Sequence, residues 1–156
     1  MQRLMVESHS ASSPCAPERF REFTDLYSIL EAFYGLIRIE VLEKTMLHLL
    51  HPGGDRILLA ELSLRGRFVQ IPEHLFKRRF HAGRSIRMYP NIRERYSWIA
   101  PAFKGKRMFP HWGYLLGYTR AIFRTPLLIR DKAFCAIVIL WLIRCSWREL
   151  LDDLRS

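Results

Sequence analysis

The chain has 156 residues, 49% apolar and 13% aromatic, which suffices for one folded domain and excludes wholesale disorder. A net charge of +10 favours polyanions: nucleic acid, sugar-nucleotide diphosphates or anionic lipid heads. Three cysteines without a CxxC exclude a disulfide framework or a zinc knuckle, and the longest apolar run, Ala133 to Ile143, is too short for the roughly twenty residues of a membrane span.

Residues Met1 to Pro17 are small, polar and proline-containing, without the apolar stretch of a signal peptide. They read as a flexible arm. Phe20, Phe23, Leu26, Tyr27 and Leu30 then recur at helical spacing and predict an amphipathic helix over Glu18 to Ala32. Phe33 to Ile39, "FYGLIRI", is rich in β-formers and predicts a short strand. "EVLEKTML" predicts one or two helical turns. His51 to Gly54 is a loop, because Pro-Gly-Gly cannot continue a helix. His48 and His51 beside it read as surface residues.

Asp55 opens the next helix, with an apolar stripe from Ile57, Leu58 and Leu62 and a closing glycine at Gly66. On local sequence it is a plain N-cap. Phe68, Val69 and Ile71 predict a second strand ended by Pro72, and "LFKRRF" a further extended piece. From Lys77 to Arg107 ten Lys or Arg stand against Glu94 alone, a segment net of +9. Pro90, Pro101, Gly105 and Pro110 make much of it loop. By itself such a run reads as a solvated basic face or a general polyanion patch.

Beyond Pro110 two helices are predicted, broken near Pro126. The first places Trp112, Leu115, Leu116 and Ile122 on one side. The second is apolar in its first half and amphipathic in its second, a buried or interfacial helix. Lys132, Arg144 and Arg148 around its apolar run outline a membrane-surface face. Cys135 and Cys145 read as reduced core thiols of a cytosolic protein.

Three blocks, "GLIRIEVLEKT" (Gly35 to Thr45), "GGDRILLAELSLRGRFVQIPEHLF" (Gly53 to Phe76) and "RRFHAGRS" (Arg78 to Ser85), stand in an order and spacing that resembles the C-terminal half of family-2 glycosyltransferases of the GT-A fold. "APERFREF" looks like the helix that precedes these blocks in some bacterial members. The resemblance covers roughly Ala16 to Arg130. It implies an α/β fold: a partial, Rossmann-like GT-A domain over residues 18–110, after the arm at 1–17 and before a helical extension at 111–156.

The resemblance also implies a chemistry. Asp55 stands at the position of the family's catalytic base, which takes the proton of an acceptor hydroxyl as it attacks the anomeric carbon with inversion. Arg79, His81 and Ser85 would lie at the leaving diphosphate of the nucleotide-sugar donor, where guanidinium, imidazole and hydroxyl donors stabilise developing charge. The acceptor would be a glycan or a lipid-linked sugar, in polysaccharide or cell-surface glycan synthesis. The place would be cytoplasmic, peripheral at the inner face of the membrane.

Two departures limit this. Gly54 replaces the first acid of the family's pair. The Asp-x-Asp that holds a divalent metal on the donor is missing, since Asp25, Asp55, Asp131, Asp152 and Asp153 form none. The expectation is therefore an incomplete chain, weakly active or inactive alone, with no metal site of its own. Two alternatives differ in class. One is a nucleic-acid module that stacks bases on Phe80, Tyr89, Tyr96, Trp98 and Phe103 within the basic segment, although no nucleic-acid motif is visible. The other is a non-catalytic remnant that self-associates or docks through uncovered apolar surface.

Overall fold

The structure, a computed structural model, describes residues 11–24, 31–73, 75, 77, 88–101 and 107–155. Among these residues every regular element is helical. The elements are α1 (Ala16–Thr24), a 3-10 turn (Glu31–Tyr34), α2 (Ile39–Leu42), α3 (Gly54–Arg65), α4 (Ile92–Ile99), α5 (Pro110–Arg124), α6 (Ile129–Cys145) and α7 (Trp147–Arg155).

The expected α/β, Rossmann-like GT-A sheet is thereby corrected: no strand forms among the described residues. The reason lies in pairing. A strand needs a neighbour to take its N–H and C=O groups. In the second predicted strand, the Phe68 N–H donates to the Ala11 carbonyl at 3.0 Å. Among the described residues the ladder goes no further, and Val69 and Ile71 are exposed. In the first, Phe33 belongs to the 3-10 turn and packs locally, its ring 5.6 Å from Tyr34 and 5.7 Å from His48. Ile39 already starts α2.

The core is built around α3, buried from Ile57 to Leu64 without interruption. Phe20 and Phe23 of α1 pack on it, as do Tyr118, Ala121 and Ile122 of α5. Cys135, Val138 and Leu142 of α6 close the same cluster. Phe20 meets Tyr118 edge to face at 5.9 Å, and Phe23 meets Phe68 at 4.6 Å. Each such buried side chain stabilises the fold by roughly 1.5–3 kcal/mol. Ala11 is also in the cluster. Arg19 fastens this end of the arm, donating from Nε to the Ser63 carbonyl at 2.7 Å and from NH1 to Ser13 at 2.6 Å.

The C-terminal part differs in detail from expectation. The second predicted helix breaks at Ser146 into α6 and α7. On α5 the buried side is Gly117, Tyr118, Ala121 and Ile122, while Trp112 and Leu116 are exposed. Cys135 is a core thiol, and burial with Asp131 nearby pushes its pKa up to about 11. Cys145 and Cys15 are exposed instead.

A helix buried on every side has no solvent for a charge, yet α3 carries Glu61, 0% exposed. Its Oε2 accepts the Met46 N–H at 2.9 Å. Its Oε1 accepts Arg65 NH2 at 2.9 Å, with Arg124 Nε 3.9 Å away. One carboxylate thus pins the loop after α2 and the end of α5 to the central helix. Removing one partner of such a buried group costs far more than the pair contributes net. Glu61→Ala should lower the unfolding free energy by about 3 kcal/mol in urea titration. Glu61→Gln, which keeps an acceptor for Met46, should cost less.

Candidate functional site

The site resembling a catalytic base is built by the loop His51 to Gly54 and the first turn of α3. Gly53, not Asp55, is the N-cap, with φ of 99°, a left-handed conformation that glycine adopts without strain. The Gly54 N–H donates to the His51 carbonyl at 2.8 Å, and the Ile57 N–H makes the first helical bond to Gly53 at 3.2 Å. Asp55 is the second helical residue, half-buried. Its Oδ1 accepts the Arg56 N–H at 2.8 Å. The first turn of a helix presents unpaired N–H groups, and the Asp55 carboxylate lies among them.

Gly54 has a tighter reason to be glycine. A Cβ there would strike the backbone carbonyl oxygen of Leu49. The helical packing therefore excludes any side chain at the place where the resembling family carries its first acid. Gly66 differs: it closes α3 in an extended conformation, with open space around it.

Against this turn packs the first half of α5. A Cβ at Gly53 would strike the Tyr114 hydroxyl, and one at Gly113 the His51 ring. Tyr114 is mostly buried. Burial pushes its pKa up and Asp55 adds to this, while Arg56 and Arg95 oppose it. Asp55 and Arg56 of α3 and Arg95 of α4 thus act electrostatically on the phenol. A carboxylate can accept a proton from a hydroxyl, and a guanidinium can hold an anionic group.

His51 is buried, not a surface residue as its sequence neighbours suggested. Its Nε2 lies 2.8 Å from the Pro110 carbonyl. A carbonyl only accepts, so Nε2 carries the proton. Nδ1 has no hydrogen-bond partner among the described residues. The ring packs edge-on against Tyr114 at 4.7 Å and Tyr96 at 5.5 Å. Burial lowers its pKa, with His111 nearby acting in the same direction. The Pro110 and Pro52 carbonyls and Asp153 act the other way.

Asp153 secures the start of α5 from the far end of the chain. Pro110 stands at the first helical position and Phe109, the N-cap, offers no side-chain acceptor. Asp153 Oδ2 accepts the His111 N–H at 2.8 Å and the Trp112 N–H at 3.4 Å, and Oδ1 meets His111 Nδ1 at 3.1 Å. The Trp112 indole donates to Leu150 at 3.0 Å. The small cleft beside this junction, between Thr24, His111, Tyr114, Tyr118, Leu142 and Ser146, has a volume of about 30 Å³. That is the room of about one water and does not admit a sugar ring.

Arg79, His81 and Ser85, the expected diphosphate donors, lie outside the described residues, as do residues 78–87 and 102–106 of the basic segment as a whole. Of the aromatics expected to stack bases, Tyr89 stacks on Trp98 at 5.9 Å and Tyr96 meets the edge of His51. Sequence reasoning missed His51, Tyr114, Arg95 and Asp153. One signal was present: Gly113 and Gly117, four apart, mark a helix face that something approaches closely. Comparison with family models, with curated proteins and with solved structures finds no match for the chain.

Two outcomes are expected. Gly54→Asp should destabilise by at least about 2 kcal/mol, because it adds atoms against backbone, whereas Gly66→Ala should be near neutral; paired thermal melts check both. The His51 pKa is lower folded than unfolded. Its stabilising contribution is therefore complete above the unfolded value of about 6.5 and is lost as pH falls below it. Melting temperatures measured from neutral to mildly acid pH should fall for the native chain and fall less for His51→Gln.

Proposed function

We propose that the chain serves sugar transfer as an acceptor-side part, with the Asp55 carboxylate as proton acceptor, and that it turns over weakly or not at all by itself. The intact reaction would move a sugar from a nucleotide-diphosphate donor to a hydroxyl of a glycan or lipid-linked acceptor. What carries the reading is the placement of Asp55. It is half-buried at the amino end of α3, outside the N-cap position, within electrostatic reach of the Tyr114 phenol, on which Arg56 and Arg95 also act. The block resemblance from Gly53 to Phe76 supports it from the sequence. The proposal does not include a GT-A sheet, which the helical structure rules out for the described residues.

The missing Asp-x-Asp supports dependence on a donor-binding part supplied from elsewhere. No helix is long and apolar enough to cross a membrane among the described residues. The cytoplasmic, peripheral placement at the inner membrane face is part of the same proposal.

Sugar-nucleotide hydrolysis and transfer assays on the purified chain should stay close to background, and Asp55→Asn should remove what remains while the melting temperature holds. Vigorous Asp55-dependent turnover would defeat the dependence on a second part. Turnover indifferent to Asp55→Asn would defeat its role as base. The coding sequence upstream of Met1 gives a separate check: an in-frame Asp-x-Asp is the expected finding.

A further inference from the structure

Helix α6 is apolar on both sides but covered on only one. Its inner side, Cys135, Val138 and Leu142, is core. At helical spacing the opposite side carries Ile129, Ala133, Ile137 and Leu140. Ile129 is 87% exposed, Ile137 63%, Leu140 65% and the adjacent Trp141 50%. From Ile129 to Leu140 this strip runs about 17 Å along the helix. An all-round apolar helix is normally buried, so the outer side calls for a cover.

The charges around the strip say which cover fits. Arg130 and Arg144, both exposed, stand at its two ends. The strip itself holds no acid. Asp131 lies toward the covered side, 3.7 Å from Arg130 Nε. Arg120 on α5 and Arg148 on α7 are exposed as well, the latter over the Trp147 ring at 5.3 Å. We infer that the outer face of α6 docks on an anionic lipid surface, with Ile137, Leu140 and Trp141 entering the headgroup–acyl boundary and Arg130 and Arg144 taking lipid phosphates. This rests on the peripheral placement proposed above and is independent of the sugar-transfer chemistry. Arginine suits phosphate because its fork of donors binds two oxygens, and its stem covers apolar surface on the way out.

A second copy of the chain fits less well. Antiparallel pairing of two strips sets Arg130 against Arg144, and parallel pairing sets like on like, with no acid on either strip to offset them.

Sedimentation with lipid vesicles tests the inference. The full chain should bind vesicles of phosphatidylcholine with about one-third phosphatidylglycerol, and bind pure phosphatidylcholine about tenfold or more weakly. Binding should weaken as salt rises. Leu140→Glu and the double variant Arg130→Gln/Arg144→Gln should each weaken it about tenfold with unchanged circular dichroism and melting. Val69→Glu, a change at an exposed apolar residue elsewhere, should bind like the native chain. Equal, salt-insensitive binding to neutral vesicles would overturn the anionic part while keeping the peripheral placement. No binding to either vesicle would overturn both. A dimer in light scattering that Leu140→Glu dissociates would make the strip a contact between copies and overturn the lipid assignment.

Discussion

The carboxylate of Glu61 lies inside a helix that has no side toward water, and the elements around it are arranged to meet its needs. A buried charge must be neutralised and its lone pairs filled, or it costs several kcal/mol. Here a backbone N–H from the loop after α2 and a guanidinium from α3 itself do this, with a second guanidinium from α5 behind them. These contacts decide where the chain before the Pro-Gly-Gly turn runs. They thereby set the position of His51, Gly54 and Asp55 against α5. Apolar packing supplies the larger part of the stability, but it is not directional. The polar ties around Glu61 give it a register.

The existence and limits of α3 were legible, from the apolar spacing of Ile57, Leu58 and Leu62 and from glycines at both ends. The helices after Pro110 were legible for the same reason. What misled was the β-rich composition of Phe33 to Ile39 and Phe68 to Ile71. Side-chain shape favours a strand, yet a strand exists only where another lies beside it, and that is a property of the whole chain. For the proposed site the sequence offered one described residue, Asp55. Its surroundings were not legible, because Tyr114, Tyr96 and His51 are brought together across a long stretch of sequence by helix packing. His51 in particular looked like a loop histidine beside Pro52, and only the bare flank of α5 at Gly113 makes room for its ring.

The glycine pair before Asp55 changes meaning once its neighbours are seen. Gly53 is there for its backbone angle and Gly54 for the carbonyl that passes beside it. The lack of a side chain just before Asp55 is thus tied to how α3 meets the preceding loop. The proposed role for Asp55 has to work with a single carboxylate in electrostatic reach of the Tyr114 phenol.

Asp153, in α7, holds the beginning of α5, more than forty residues earlier. During synthesis, α5 emerges from the ribosome long before the residue that completes its first turn. Until then the His111 and Trp112 amides have no partner from the chain's own end, and the packing of α5 on His51 stays provisional. Helix α7 therefore works as a latch on a helix made much earlier.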